Sequence, residues 1–474
     1  VILAAAAGYL WLHEVADWTF PIPWPDEASF LWPAIAVERT NSLFAPQLNP
    51  DRDVLWMPPG YMVVSGLLFK IGGFSLSFAR ILSCAYLLLS FFLLLRLTGG
   101  LRLGPLWSLL CAAFLLSRQW IFAGNVARME ALVVLLTLSG FRLLAQRRFA
   151  FGTLLVGLTP LVHPNGFFFA AGATGLVVVE RLRHRLQDRL HAGLLVGAAV
   201  FAGCWLAYLL YLAGHWADFR HDMQFQAGFK YAEGLLTLIS HRMSRPAYIV
   251  ALALSLAGLA SAYRRDERLL PLAWLGIAGA LLTLVAQGFN YTLYDSLFFL
   301  GAAVLGGEVF YSFVERRPAA VLALVLALLG SYLAGYVESP VGYPHRMRLH
   351  DLEIAPQVPY ITDEEQGRVR GLLETLAAGP SSTTVRFYPS GDELLFADLD
   401  GEKLRMITPV FHSGEADVHI LHRSRHIPVI LDYFTNVQLR EQGFTDADIS
   451  GFHLLSERDG TEQWLWFRFT ASSR

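Results

Sequence analysis

Apolar stretches fill the first two thirds of the chain, and their number constrains its fold more than any other feature. Crossing about 30 Å of hydrocarbon takes roughly 20 apolar residues in a helix. Eleven segments approach that: 1–12, 74–95, 103–117, 129–145, 149–162, 165–180, 191–213, 246–262, 270–287, 294–313 and 319–337. The chain is therefore predicted to be an α-helical polytopic membrane protein with about 11 TM helices through residue 337. A C-terminal soluble α/β domain is predicted over 338–474. His163-Pro164-Asn165-Gly166 breaks the stretch 149–180 into a hairpin, since proline and glycine punctuate helices. Because the chain starts at Val1 and not Met, sequence ahead of the first span is expected to be missing.

Charge divides the chain at the same place. Residues 1–337 hold 42 charged side chains, and the 137 residues of 338–474 hold 34, the density of an ordinary soluble domain. The split excludes a soluble enzyme throughout, a disordered protein and a disulfide scaffold. Net charge is +6 in the first part and −8 in the second, and an acidic tail argues against a nucleic-acid partner. Cys84, Cys111 and Cys204 lie in apolar runs, and 338–474 has no cysteine for a disulfide or thiolate metal site.

One set of short loops carries the arginines: Arg96 and Arg102; Arg142, Arg147 and Arg148; Arg181, Arg183, Arg185 and Arg189; Arg264, Arg265 and Arg268; Arg316 and Arg317. The positive-inside rule makes that side cytoplasmic. The loops 13–73 and 214–245 and the domain 338–474 are then expected on the outer side. Arg80, Arg128, Glu130, His163 and Asp295 fall at the outer ends of spans, with Glu308 toward the cytoplasmic end. Any chemistry is expected at the outer membrane face.

Loop 13–73 is the most informative. It holds Trp18, Trp24, Trp32 and Trp56 and eight prolines, so it reads as a chain folded along the interface without a continuous helix. Segment 59–71, ended by Gly72-Gly73, is apolar but short and reads as an interfacial helix. Pro25-Asp26-Glu27 sits inside this loop. An exposed Asp-Glu pair is commonly just solvated charge. Partial desolvation against the membrane instead suits a carboxylate to accepting a proton.

Pro25-Asp26-Glu27, Trp56-Met57-Pro58-Pro59-Gly60-Tyr61, Leu68-Phe69-Lys70-Ile71-Gly72-Gly73 and Phe78-Ala79-Arg80-Ile81-Leu82-Ser83 follow in order. This series resembles the N-terminal signature of the GT-C membrane glycosyltransferases. The nearest branch is the protein O-mannosyltransferase-like one that includes the bacterial aminoarabinose lipid A transferases. The resemblance continues through Ala127-Arg128-Met129-Glu130 and His163-Pro164-Asn165-Gly166, covering about 10–180 by motif and the rest by topology. It implies an inverting enzyme in a bacterial inner membrane that moves a sugar from a polyprenyl-phosphate carrier to a hydroxyl of a glycan, lipid or protein. No cofactor is required. Carried over, Asp26 matches the family's catalytic aspartate and is the general base, Glu27 matches its catalytic neighbour and orients the loop or acceptor, and Tyr61 falls with the donor-site motif. Two departures stand out: Met57 replaces a basic residue found before Pro-Pro in some relatives, and Glu130, a catalytic base partner or a structural ion pair, stands where some place an aspartate.

Arg128 is the first choice for the donor phosphate, against a snorkelling role. Two residues apart on a helix, Arg128 and Glu130 are expected to face different directions. Arg80 reads as the ion-pair partner of an outer-loop carboxylate or a donor contact, and His163 as a turn-capping group or a donor contact. Tyr291 is an aromatic-belt tyrosine or touches the donor headgroup. Asp51-Arg52-Asp53 is an Asp-x-Asp that could hold a divalent cation, or an ordinary turn. Segment 229–240 reads as a second interfacial helix.

In 338–474, Thr362-x-x-Glu365 is a capping box opening a helix that Gly379-Pro380 ends. Strands are predicted at 384–388, 404–408, 417–422, 428–431 and 463–469, with a helix at 391–398. His419 and His422 fall on opposite faces of a strand, which disfavours a shared metal. This domain is expected to cover the site or meet the acceptor. Two competing readings are a lipid-linked-sugar transporter or flippase, which has no need of Asp26, and a structural subunit, in which the carboxylates are replaceable.

Overall fold

The computed structural model describes residues 1–15, 25–184, 189–230, 235–264, 267–285, 292–311, 363–388, 390–408, 416–424, 436–440, 444, 453–458 and 463–469. Ten of the eleven predicted spans fold as helices: α1 (Ile2–Val15), α4 (Leu76–Thr98), α5 (Gly104–Leu115), α7 (Met129–Ala145), α8 (Phe149–Val162), α9 (Gly166–His184), α10 (Arg189–Gly214), α13 (Pro246–Arg264), α14 (Leu270–Val285) and α15 (Thr292–Val309). The eleventh, 319–337, lies outside the described residues, as does the predicted domain boundary. Among the described residues, three segments are long and apolar enough to cross a bilayer by themselves: Leu76–Thr98, Pro246–Arg264 and Glu267–Val285. A fourth forms if α10 is joined across a 91° bend to α11 (Trp216–Lys230). The other apolar helices are mostly 12 to 17 residues, short of a full crossing. The whole is a polytopic helical membrane fold with a small C-terminal α/β unit.

The first loop departs from its reading as irregular chain ahead of segment 59–71. Residues 25–40 form a regular helix, α2 (Pro25–Thr40). Pro25 occupies its first position, where the missing N–H leaves no bond unmade. Pro33 does remove one internal bond, but packing outweighs it: Ala28, Phe30, Leu31, Trp32, Ala34 and Ile35 are all buried. The predicted interfacial segment 59–71 is α3 (Gly60–Gly72), half-buried, with Leu67 and Ile71 exposed. Two glycines let α3 seat tightly. A Cβ on Gly66 would lie 2.6 Å from the Ala34 carbonyl of α2, and one on Gly60 would lie 2.5 Å from the Leu161 carbonyl of α8. The short helix α6 (Arg118–Gly124) has no counterpart among the predicted elements, and predicted 229–240 is replaced by the end of α11 and by α12 (Leu235–Met243).

Glu308, the one acid toward the far end of α15, caps α5. Its carboxylate accepts the Arg102 and Leu103 backbone N–H groups at 3.2 and 2.9 Å and the Trp107 indole N–H at 2.8 Å. Such a carboxylate serves a helix N-terminus.

In the C-terminal unit, α16 (Asp363–Ala377) packs beside a five-stranded sheet in the order β2-β1-β3-β5-β4. Strands β1 (Thr383–Tyr388), β2 (Leu404–Ile407) and β3 (Val418–Ser424) are parallel, while β4 (His453–Arg458) and β5 (Gln463–Phe469) run antiparallel. The predicted helix 391–398 is a 3-10 helix, Asp392–Leu399. β4 went unpredicted, since His-Leu-Leu-Ser-Glu-Arg lacks alternation and carries a register shift between Leu454 and Ser456. Predicted strand 428–431 lies outside the described residues. This unit docks on the far end of α2. Arg39 donates to the Ala397 carbonyl at 2.7 Å, Gln47 to Asp400 at 2.6 Å, and Thr408 N to the Gln47 carbonyl at 2.8 Å.

Candidate active site

The first turn of α2 presents Asp26 and Glu27, where carboxylates suit the positive end of the helix dipole. Their fates diverge at once. Glu27 is fully buried and receives Arg80 of α4 at two points, Nε to Oε1 at 3.0 Å and Nη2 to Oε2 at 2.8 Å. The Ala127 backbone N–H donates to the same Oε1 at 2.7 Å. Three charge-assisted bonds offset the desolvation of this carboxylate. They also lock the start of α2 to the strand of backbone ahead of α7. Arg80 is therefore the structural ion-pair partner that its position predicted.

Asp26 points the other way and keeps 31% of its side chain exposed. Arg128 Nη1 donates to its Oδ2 at 2.9 Å. The same guanidinium grips Glu130 in a fork, Nε to Oε2 at 3.2 Å and Nη2 to Oε1 at 2.8 Å. This corrects the expectation that Arg128 and Glu130 face apart. Arg128 is the N-cap of α7 with extended backbone, φ −129° and ψ 156°, so helical spacing does not apply to it. Arg128 is thus shared by two carboxylates, with 13% of its side chain exposed against 5% for Glu130. Chemically, this is one accessible carboxylate beside one cation, both on braced helix ends.

The other predicted site residues are not in this cluster. His163 is buried at the C-cap of α8 and accepts the Asn165 N–H at Nδ1, 3.1 Å, as a turn-capping group does; its ring lies 6.4 Å from that of Tyr294. Tyr61 is buried in α3, edge-on to Phe30 at 6.3 Å between ring centres. Tyr291 lies outside the described residues.

Asp51 and Asp53 sit elsewhere again. The Asp51 N–H bonds the Asn49 side chain in a turn. Asp53 meets His215 Nδ1 at 2.9 Å, and burial raises its carboxyl above the ordinary range against the pull of His215. Arg52 pairs with Asp222 of α11 at 2.7 Å, and Asp222 also accepts the Leu55 N–H at 2.6 Å. Arg52 and Asp53 therefore fasten the first loop to the second. Among the described residues no group of three or more His, Cys, Asp or Glu is placed to hold a metal ion. Sequence reasoning named these residues but not their pairing, since nothing local joins Arg52 to Asp222 across 170 positions. Beside Asp53 a cleft of about 540 Å³ opens between the ends of α2, α3 and α10, with Asn41, Lys70 and Tyr211 on its walls.

In the C-terminal unit, His422 Nδ1 is 3.0 Å from Asp392 Oδ2, and His419 Nδ1 is 3.0 Å from the Tyr388 hydroxyl. The two histidines serve different partners, as their strand spacing predicted.

No family model matches this sequence, and no curated protein matches it. Solved structures do. The chain is similar to the crystal structure of ArnT from Cupriavidus metallidurans bound to undecaprenyl phosphate, with TM-score 0.54 and 13% identity over 100% of this chain and 98% of that one. It is similar also to the apo structure of the same protein, with TM-score 0.52, 12% identity and the same coverage. At that identity what is shared is the fold, and the polytopic helical bundle with its C-terminal unit is GT-C-like.

Proposed function

We propose that this chain is a membrane glycosyltransferase that takes a sugar from a polyprenyl-phosphate donor and transfers it, with inversion, to a hydroxyl acceptor. The observation that carries the reading is the Asp26–Arg128–Glu130 cluster, a solvent-reachable carboxylate and a cation fixed together on two braced helix ends. The likeness to a fold solved with undecaprenyl phosphate supports the choice of donor class. In the reaction the acceptor hydroxyl gives its proton to Asp26 as its oxygen attacks the anomeric carbon from the face opposite the phosphate. The carbon–phosphate-oxygen bond breaks, and its electron pair leaves on the lipid phosphate, where Arg128 offsets the charge. No cofactor enters the scheme. His163, Tyr61 and Tyr291 are assigned to the donor's surroundings, and Glu27 holds Asp26 in place. The acceptor is a glycan, lipid or protein hydroxyl. The arginine-rich loops support a bacterial inner-membrane protein with this site and the C-terminal unit on the outer side.

The transporter reading gains less support. Its ionisable groups belong near the bilayer midplane, whereas Glu308 caps α5, and Asp26, Glu27, Arg128 and Glu130 gather at helix N-termini.

Lipid mass spectrometry of source cells tests the proposal. Cells lacking the protein and cells carrying Asp26→Asn should both accumulate one monosaccharide-carrier lipid that wild type clears. Clearance by Asp26→Asn equal to wild type refutes the catalytic assignment and favours transport.

A further inference from the structure

Arg128 grips its two carboxylates unequally. The fork to Glu130 uses Nε and Nη2 together and is almost closed to solvent, whereas the contact to Asp26 uses Nη1 alone and lies on the open side. A two-point guanidinium–carboxylate bond resists displacement better than a single exposed one. An anionic ligand arriving from solvent therefore meets the Asp26 contact first and has a hinge, the Glu130 fork, about which Arg128 can turn. The contact also occupies Asp26 Oδ2, an oxygen that would have to take a proton.

We propose that Arg128 exchanges partners during turnover, leaving Asp26 for the donor's phosphate while Glu130 keeps hold of it. This rests on the glycosyltransferase reading and adds an order to it: the donor binds first, and its phosphate frees the base. Until then Oδ2 of Asp26 is held by the cation, and an acceptor hydroxyl meets a carboxylate already engaged on one oxygen. No covalent bond changes in the exchange. An anionic phosphate oxygen replaces a carboxylate oxygen on Nη1, and the freed carboxylate is available to the acceptor proton. Arg128 is then a catalytic residue twice over, once as the phosphate's counter-charge and once as the latch on the base. Glu130 is the positioning residue that makes the latch reversible.

The test uses the full chain in lipid nanodiscs and undecaprenyl phosphate as the probe, comparing wild type, Asp26→Asn and Glu130→Gln. If Asp26 competes for Arg128, Asp26→Asn binds the lipid phosphate about two- to fivefold more tightly than wild type, although it is inactive. Glu130→Gln binds more weakly, because the hinge is lost. Equal or weaker binding by Asp26→Asn overturns the exchange. A second measurement needs no variant: carbodiimide labelling of wild type, read by peptide mass spectrometry at Asp26. Labelling at Asp26 should rise when undecaprenyl phosphate is bound, and unchanged or reduced labelling overturns the proposal. Absence of any binding to wild type is a separate result. It removes the glycosyltransferase reading, and the exchange falls with it.

Discussion

Glu27 and Arg80, 53 positions apart, form a two-point ion pair that solvent does not reach. Its neighbour in sequence, Asp26, is the most exposed carboxylate of the cluster. Adjacent positions thus carry a buried structural acid and a solvent-reachable one. Glu27 fixes the first turn of α2, and Asp26 inherits that fixity without sharing the burial.

Arg80→Leu should be among the most damaging single substitutions, because it leaves a carboxylate buried without its main counter-charge. Breaking one side of such a pair costs about 3–5 kcal/mol. The double variant Glu27→Leu with Arg80→Leu should recover part of that loss, leaving mainly the Ala127 N–H without its acceptor. Thermal unfolding of all three variants in one detergent measures it. A double variant as unstable as Arg80→Leu alone would assign the cost to packing and not to charge.

Arg128→Lys separates charge from geometry. Lysine keeps the positive charge but cannot make a planar fork to Glu130 and reach Asp26 at once. Expected is a rise of roughly tenfold in the donor KM, with stability within about 1 kcal/mol of wild type, since the pair to Asp26 is partly exposed. Steady-state kinetics over a donor concentration series gives the outcome. A normal KM with lysine would mean that a point charge suffices.

Much of this site could be read from residue types, and the unread parts have physical causes. Arg80 called for an acid because an arginine that deep in a helix needs one, and Glu27 supplies it. The break at His163 was legible from Pro164 and Gly166. α2 was not, since proline density reads as irregular chain; what rescues the helix is burial along its length, a tertiary term no local pattern contains. The Arg128–Glu130 fork was misread for a related reason. Spacing rules for helices fail at an N-cap, where the backbone is extended. The pairs Asp53–His215 and Arg52–Asp222 join two loops far apart in sequence, and each half alone looks like solvated charge.

The C-terminal unit is fastened to the opposite end of the helix that bears Asp26. Arg39 lies thirteen positions after Asp26 along α2, about 20 Å of helix. Among the described residues, these contacts make the unit a brace for the far end of α2. Gln47→Ala removes a donor to Asp400, whose carboxyl burial already raises. The expected loss is about 1 kcal/mol. A cycle with Asp400→Ala should show coupling of similar size between the two sites. Hydrogen exchange at 397–400 provides the local readout, and additive losses would show that the two side chains act independently.

Glu393 gives the C-terminal unit a pH signature of its own. Burial pushes its carboxyl from the ordinary 4.5 up to about 7, against bonds from Thr408 and the Gly391 N–H. A carboxyl raised in the folded state binds its proton more tightly there than when unfolded, so folding is favoured at low pH. The favourable contribution is fully present below about pH 4.5 and is lost progressively up to about pH 7, where the folded group ionises. The span corresponds to about 3 kcal/mol at most. Glu393→Gln mimics the neutral form, since its oxygen can accept the Gly391 N–H while its amide meets the Thr408 hydroxyl. The variant should match wild type near pH 4.5 and exceed it in stability above pH 7. Urea unfolding of the full chain at both pH values, followed by hydrogen exchange at 391–408, measures the difference. If the variant is less stable than wild type at pH 8, the buried carboxylate is satisfied as an anion and the assignment of its raised titration is wrong.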